Sequence, residues 1–373
     1  AAATQLVAEM AKLDHDLPVT GGNGSGTLAV CTATFKIKGL IGNDCLIRGT
    51  MTGGTGGSMT IAGSGKLASG TLEPDIAAAL TAIAGQEYQL IAATLSNADI
   101  AAASNTGNVG KLKTHVATLS VGLDAKLQQF VIGSNGSTTQ AKASTAQHNY
   151  GLGELVVFRN AESMGYEFAG AELGARLREE AIDPDVNRTN RKDMPYIALL
   201  YPPASITTDA LTAAELEDLL QSGVSAGVYT SNGTCFVSIP RTMYFLDTTS
   251  NPDHRLVYVS QPTTLLAVAA DLRSFLPGRF PDAKIVKKLP PGTTELPPKV
   301  VDETTVKGVT IARLQRWVAG GQLDGLKLAD AIKDGTLVVK VNASNSSKVD
   351  IQIPASVIPP LTIWDVNVLG ISS

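Results

Sequence analysis

The sequence predicts an α/β protein: a mostly parallel sheet core flanked by helices, with a small β-rich N-terminal part and a small α+β C-terminal domain. Three observations predict it. Short strand-like runs between glycine clusters open the chain, helical and strand patterns alternate from Asp75 onward, and a proline-rich stretch precedes a last small unit that ends in two alternating runs. The expected boundaries are 1–72 for the β-rich part, 73–276 for the α/β core and 277–373 for the C-terminal domain.

The chain starts at Ala1, without a methionine, directly in a helical pattern carrying Leu6, Met10 and Leu13, as a chain cut from something longer would. Residues 27–36, 45–49 and 58–62 read as short strands, with turns in the glycine clusters 21–26 and 53–57. Then come a helix over 75–84 closed by Gly85, a strand over 88–94, a helix over 108–120 and a strand over 128–132. A helix over 138–147, a strand over 154–158 and a helix with Phe168, Leu173, Leu177 and Ala181 on one face continue the alternation. Residues 194–200 add an apolar strand. Thr212 and Glu215 form a capping box before a short helix that ends at Gly223. Residues 227–232 and 234–243 read as a hairpin turned at Asn232-Gly233. Ser260 can cap a helix whose stripe is Leu265, Val268, Leu272 and Phe275 and which Pro277 stops. The prolines of 289–298 predict an extended connector. Beyond it lie a helix with Ile311, Leu314 and Trp317, another with Leu328 and Ile332, and a strand over 336–341.

The last two runs carry the most information about function. Val349, Ile351 and Ile353 alternate with Asp350 and Gln352; Trp364, Val366 and Val368 alternate with Asp365 and Asn367. Strands at a terminus keep unpaired backbone groups, which pair readily with another chain. These six apolar residues are therefore the candidate subunit contacts, with Pro354, Pro359 and Pro360 stiffening the path between the runs.

Composition narrows the rest. At 373 residues, 44% hydrophobic and 17% charged, the chain is long enough for two or three domains with cores of their own. A formal charge of -4 without a sustained Lys/Arg run argues against nucleic acid, whose binding rests on a basic face. No stretch reaches the roughly 18 apolar residues of a membrane span, and no charged-then-apolar leader opens the chain, so it reads as soluble and cytoplasmic when made. Cys31, Cys45 and Cys235 are odd in number and lack CxxC spacing, as buried thiols in a reducing compartment would be; Cys31 and Cys45 are able to pair if oxidised.

Tests for chemistry come back empty. With Gly65-Lys66 as the GK of a phosphate loop, Thr60 and Leu67 occupy the glycine and hydroxyl positions, so the motif fails on both sides. His15, His115, His148 and His254 show no metal spacing and read as surface residues. No GxSxG elbow occurs, so catalytic, cofactor and metal residues are all assigned as none. The cluster Asp183, Asp185, Arg188, Arg191, Lys192 and Asp193 reads as a solvated loop, able in a stacked subunit to meet complementary charges. Lys284, Lys287 and Lys288 form a compact basic patch.

Several stretches form an ordered series: Leu17-Pro18-Val19-Thr20, the run from Gly39 to Asp44, Pro74-Asp75 leading through Leu80 into the Tyr88 strand, and Leu211-Thr212 with Glu215, Leu219, Leu220 and Gly223. Arg241-Thr242, Arg279-Phe280-Pro281 and Val341-Asn342-Ala343 leading to Pro354 complete it. Taken together, these stretches resemble the tail sheath proteins of contractile-tailed bacteriophages, specifically the Mu-like branch. The resemblance implies a non-enzymatic structural subunit that polymerises around a tail tube and shortens during genome delivery, with terminal arms adding strands to neighbouring sheets. It implies as partners copies of the chain in a helical sheath, the tail tube protein, and baseplate and tail terminator proteins, with no cofactor, no nucleic acid and no membrane insertion. Its implied location is the virion, after the host cytoplasm. The rival readings are an α/β, hydrolase-like enzyme with a dispersed active site, a monomeric binding module, and a sheath subunit of a related bacterial contractile injection machine.

Overall fold

The computed structural model describes residues 2–12, 19–23, 31–46, 66–102, 105–120, 125–189, 209–231, 234–287 and 297–360. They form two compact units, Ala1–Arg178 with Arg188–Asp253, and Glu179–Asn187 with His254–Ser373. The fold is the expected one: a mainly parallel five-stranded sheet flanked by helices, plus smaller sheets.

The first unit opens with helix α1 (Ala2–Lys12) and an antiparallel pair, β1 (Val19–Asn23) and β2 (Cys31–Phe35), in which Val19 faces Phe35 and Asn23 faces Cys31. Gly21 and Gly22, expected in a turn, lie in β1. A Cβ on Gly21 would stand 3.0 Å from Met10 Sδ, so glycine here serves close packing against α1 rather than a change of direction. Of the strand expected over 45–49 only Cys45 and Leu46 are described, just after a 3-10 turn over Leu40–Asp44, and Leu46 makes an isolated bridge to Lys66; residues 47–50 and the expected strand at 58–62 lie outside the described residues. Val19, Phe35, Ile41 and Cys45 form a small core with Met164.

The large sheet comes next. Its elements are α2 (Ala77–Ile83), β3 (Leu90–Ala92), α3 (Asn97–Ala101), α4 (Asn108–Leu119), β4 (Gln129–Ser134), α5 (Thr138–His148), β5 (Gly153–Val157), α6 (Gly165–Glu180), α7 (Ala213–Gln221), β6 (Ser225–Tyr229) and β7 (Cys235–Val237). Strands β3 to β6 run parallel in chain order, and β7 closes the row antiparallel to β6. Capping boxes start α5, from Ser137 and Gln140, and α7, from Thr212 and Glu215. Phe130, Ile132, Leu155 and Val157 pack with Leu112, Val116, Ala141 and Leu219 on one face; Val131 and Val156 pack with Phe168, Ala169 and Ala175 of α6 on the other. Both faces are thus covered, as parallel strands require. At the start of α6 backbone meets backbone: a Cβ on Gly133 would stand 2.0 Å from the Gly165 carbonyl oxygen. The hairpin is present with Tyr229 opposite Cys235, although β7 ends at Val237 and the Asn232-Gly233 turn lies outside the described residues, as does the strand expected at 194–200.

The second unit holds α8 (Ser260–Arg279), the parallel pair β8 (Lys284–Val286) and β9 (Val300–Asp302), α9 (Glu303–Ala319), α10 (Gly325–Lys333) and the antiparallel pair β10 (Val338–Val341) and β11 (Val349–Gln352). Two expectations fail in α8. Pro277 does not stop it, because a proline in the last turn forfeits a single ladder bond and the helix still closes through Phe280 N–H to Leu276 C=O at 3.0 Å. Ser260 does not cap it: Gln261 reaches back instead, its Oε1 accepting from Tyr258 N–H at 3.1 Å. Val268, Leu272, Val306, Leu314, Leu328, Leu337 and Val339 make the core.

A four-charge cluster lies inside the first unit. Arg176 donates from Nη1 to Glu154 Oε2 at 3.1 Å and from Nη2 to Gln129 Oε1, while Arg188 donates to Glu172 Oε1. All four charged residues are 4% exposed or less. Ser225 Oγ donates to Glu154 Oε1 at 2.8 Å. Burial raises the Glu154 carboxyl to about 7, the Glu172 charge adding and the two guanidinium groups opposing. Arg188 is therefore no part of a solvated loop; Asp183 and Asp185 belong to the second unit, and residues 191–193 lie outside the described residues. Arg176→Met leaves Glu154 buried beside a second carboxylate, so the first unit should lose about 3–5 kcal/mol in a denaturant titration; a loss below about 1 kcal/mol would mean that the pair is not desolvated.

Candidate assembly interface

The candidate contacts Val349, Ile351 and Ile353 sit on and just after β11, and Trp364, Val366 and Val368 lie outside the described residues. The alternation has two consequences. The side chains of Val349, Ile351 and Ile353 are half-buried against the unit's own core, while Asp350 and Gln352 are exposed. The side chains of these residues are thus partly committed to their own unit, and the backbone of β11 is the other surface they offer.

Register says which backbone groups are available. Asn342 N–H donates to Lys348 C=O at 2.8 Å, and Val341 pairs with Val349. Because bonded and non-bonded pairs alternate in an antiparallel ladder, Lys340–Asp350 and Val338–Gln352 are the bonded pairs, and the N–H and C=O groups of Val349 and Ile351 point away from β10. On the far side of β10 the matching Val341 N–H is already satisfied by Glu303 Oε1 at 2.7 Å. Among the described residues, then, β11 pairs with β10 alone and presents an open edge. That edge carries a charged guard: Lys348 Nζ lies 2.8 Å from Asp350 Oδ1, and Asn342 Nδ2 donates to Asp350 Oδ2 at 2.6 Å. After β11 the chain is seated by Leu323 bridging Val357 and by Asp324 N–H on Ser356 C=O at 2.8 Å, with Leu326 80% and Ile358 42% exposed.

The support beneath this sheet is a clamp that sequence reading missed. Arg313 on α9 grips Asp271 on α8 through both carboxylate oxygens, Trp317 Nε1 adds a bond to Asp271 Oδ2 at 2.9 Å, and the guanidinium lies 4.7 Å over the Phe275 ring. Asp271 and Arg313 are far apart in sequence, so no short motif announces them. The Arg313 hydrogen bonds hold the Asp271 carboxyl below the usual carboxylate range.

Elsewhere the structure corrects one reading. His148 is 1% exposed rather than a surface residue, His115 is half-buried and His254 exposed, while His15 lies outside the described residues. Cys45 and Cys235 are buried and Cys31 is half-buried, and none of the three is in a disulfide among the described residues. Lys284 and Lys287 are exposed; Lys288 lies outside the described residues. Among the described residues no group of three His, Cys, Asp or Glu is arranged to hold a metal, and no helix is long and apolar enough to cross a membrane. An open groove of about 710 Å³ in the first unit runs between β2 and residues 67–74, its charged lining being Lys38 and Glu73.

Three solved structures are similar at low identity. A chain of the anti-feeding prophage (AFP) baseplate is 13% identical with a TM-score of 0.45, covering 72% of this chain and 66% of that one. A chain of the PVC sheath complex in the contracted state, from an extracellular contractile injection system, is 13% identical with a TM-score of 0.43, covering 69% and 67%. The sheath tail protein of Desulfitobacterium hafniense is 13% identical with a TM-score of 0.44, covering 91% and 72%. The chain spans about two thirds of the length of the first two. No protein-family model and no curated protein matches it.

The clamp makes a pH-dependent prediction. A carboxyl depressed in the folded state contributes stability above its ordinary value near 4, and that contribution is lost as pH falls through the depressed value. Asp271→Asn should lower the melting temperature of the second unit by about 5 °C at pH 6, with the gap narrowing as pH falls below the ordinary carboxylate value near 4; a gap that does not change with pH would remove charge from the account.

Proposed function

We propose that the chain is a structural subunit of a contractile tail sheath, assembling with copies of itself by strand addition at its carboxy-terminal sheet. One observation carries the reading: the outward-facing N–H and C=O groups of Val349 and Ile351 on β11, with residues 361–373 beyond them. Sheet-edge addition draws its affinity from such main-chain groups and needs no chemistry on the side chains. The ordered series of sequence stretches that resembles the Mu-like phage sheath supports the same reading. In it the three-part division at 72/73 and 276/277 separates a protruding part, a core and an arm-bearing domain. Tail tube, baseplate and terminator proteins are the further partners, and the virion is the location. Contraction then needs no nucleotide: subunits move as folded bodies into better-packed contacts while strand links keep them joined.

Two variants separate the edge from the fold. Val349→Pro removes an outward N–H and leaves the β10 ladder intact, so the second unit should stay folded by circular dichroism while assembly is lost; Asp350→Pro removes a ladder bond and should unfold the hairpin. In negative-stain electron microscopy of the protein expressed from its complete reading frame, helically striated hollow tubes are expected. Deleting residues 361–373 should abolish them without changing the melting curve. Tubes that survive that deletion would overturn the strand-linked reading, and isolated particles from the intact protein would overturn the sheath itself.

A further inference from the structure

The first unit hides an imidazole that nothing neutralises. His148 ends α5 at 1% exposure, and neither Nδ1 nor Nε2 has a hydrogen-bond partner among the described residues; Ser144, one turn earlier on the same face, is fully buried with an equally unpartnered hydroxyl. A histidine in the last turn of a helix is ordinarily helped to take a proton by the negative end of the helix dipole. Here that end is already occupied, because Lys113 Nζ on α4 donates to the His148 carbonyl at 2.7 Å while lying 5.6 Å over the Tyr150 ring. A second cation on the ring would face the first at close range.

The neighbouring elements offer no relief. From α4 come Lys113 and His115, and His115 Nε2 is itself unpartnered. From α3 comes Asp99, hydrogen-bonded to Asn108. From α7 come Glu215, paired with Arg159 at 2.6 Å, Asp218, paired with Lys142 at 2.6 Å, and Glu217, which accepts from Gln221. From β5 comes Glu154, bound to Arg176. Burial and the Lys113 charge together push the His148 ring down to about 4.

The next residue gives the titration of His148 a consequence. Asn149, in the left-handed region at φ 38°, caps α5 through its N–H on Thr145 C=O at 2.8 Å. Its side chain holds Phe245 and Leu246: Oδ1 accepts from Phe245 N–H at 3.0 Å and Leu246 N–H at 3.2 Å, and Nδ2 donates to Leu246 C=O at 2.7 Å. Residues 245–253 close a hairpin through Asp253 N–H on Phe245 C=O at 3.0 Å and Asp247 N–H on Asn251 C=O at 2.8 Å, while Met243 before it is fixed separately, fully buried with its N–H on Gly153 C=O at 2.8 Å.

We propose that His148 is an acid-sensitive latch: protonation of its buried ring opens the last turn of α5, and the Asn149 side chain then releases Phe245 and Leu246 at the base of the hairpin 245–253. The direction comes from linkage. The open form takes up a proton below the ordinary histidine value and the closed form only near 4, so closure is favoured above about pH 6.5 and lost as pH falls towards 4. Glu154, raised in the folded state, works in the opposite sense, so global stability is a blunt readout and local amides are the better one.

The test is NMR on the full chain, monitoring the His148 ring resonances and the exchange of the Phe245 and Leu246 amides at pH 7 and pH 5. Corrected for intrinsic rates, the opening constant at those amides should rise about 20-fold between the two pH values, from a ring titrating near 4 when closed and at its ordinary value when open. His148→Phe should abolish the rise. Should that variant not fold, Lys113→Met serves: removing the ammonium should shrink the rise. A ring that titrates near 6.5, no rise in the intact chain, or an unchanged rise in whichever variant folds would each overturn the latch.

Discussion

A parallel sheet covered on both faces tolerates a charge only where a partner meets it, and that constraint organises the first unit. Glu154 occupies a position in β5 where its neighbours in the strand are valines, a leucine and a glycine. Its carboxylate is admissible there because α6 brings Arg176 and the chain beyond α6 brings Arg188, with Glu172 balancing the second cation. The seating of α6 in turn depends on the contact of Gly133 with Gly165, which lets helix and strand approach at backbone distance. One ionic constraint therefore ties together a central strand, the helix that covers it and the segment that leaves that helix.

The second unit solves a smaller problem with the same chemistry at lower burial. Two helices are locked by a guanidinium gripping one carboxylate, with an indole N–H and an aromatic face completing the shell. The small sheet joins this core through the side chains of one face, so the pleat leaves the other face polar. Among the described residues the outer backbone edge of β11 stays open, and a lysine and an aspartate on it oppose indiscriminate pairing.

Much of this was legible in the sequence. The alternation of elements, the Thr212–Glu215 capping box, the hairpin and the β11 run rest on local rules, and local rules are what periodicity and capping report. The misses have a common cause, since each depends on a partner distant in the chain. Gly21 looks like a turn residue until Met10 packs against it; Arg188 looks solvated until Glu172 appears beside it; His148 looks like a surface residue until α4 covers it. Pro277 and Ser260 are local exceptions: a position near a helix end forgives what its interior would not, and Gln261, one residue on, reaches back in place of the serine. Of the candidate contacts, the alternation identified which residues lie on β11, while the direction of their backbone groups needed the register.

The second unit is discontinuous, since residues Glu179–Asn187 belong to it although they interrupt the first. The chain therefore passes between units three times, and no single cut releases either one whole. A protease nicking near residue 253 would leave a first fragment carrying a nine-residue piece of its former companion, and a second fragment missing that piece. Dissection of this protein by truncation would, for that reason, mistake incompleteness for instability, and a rearranged chain that transplants residues 179–187 onto the second unit is the sounder way to obtain separate halves.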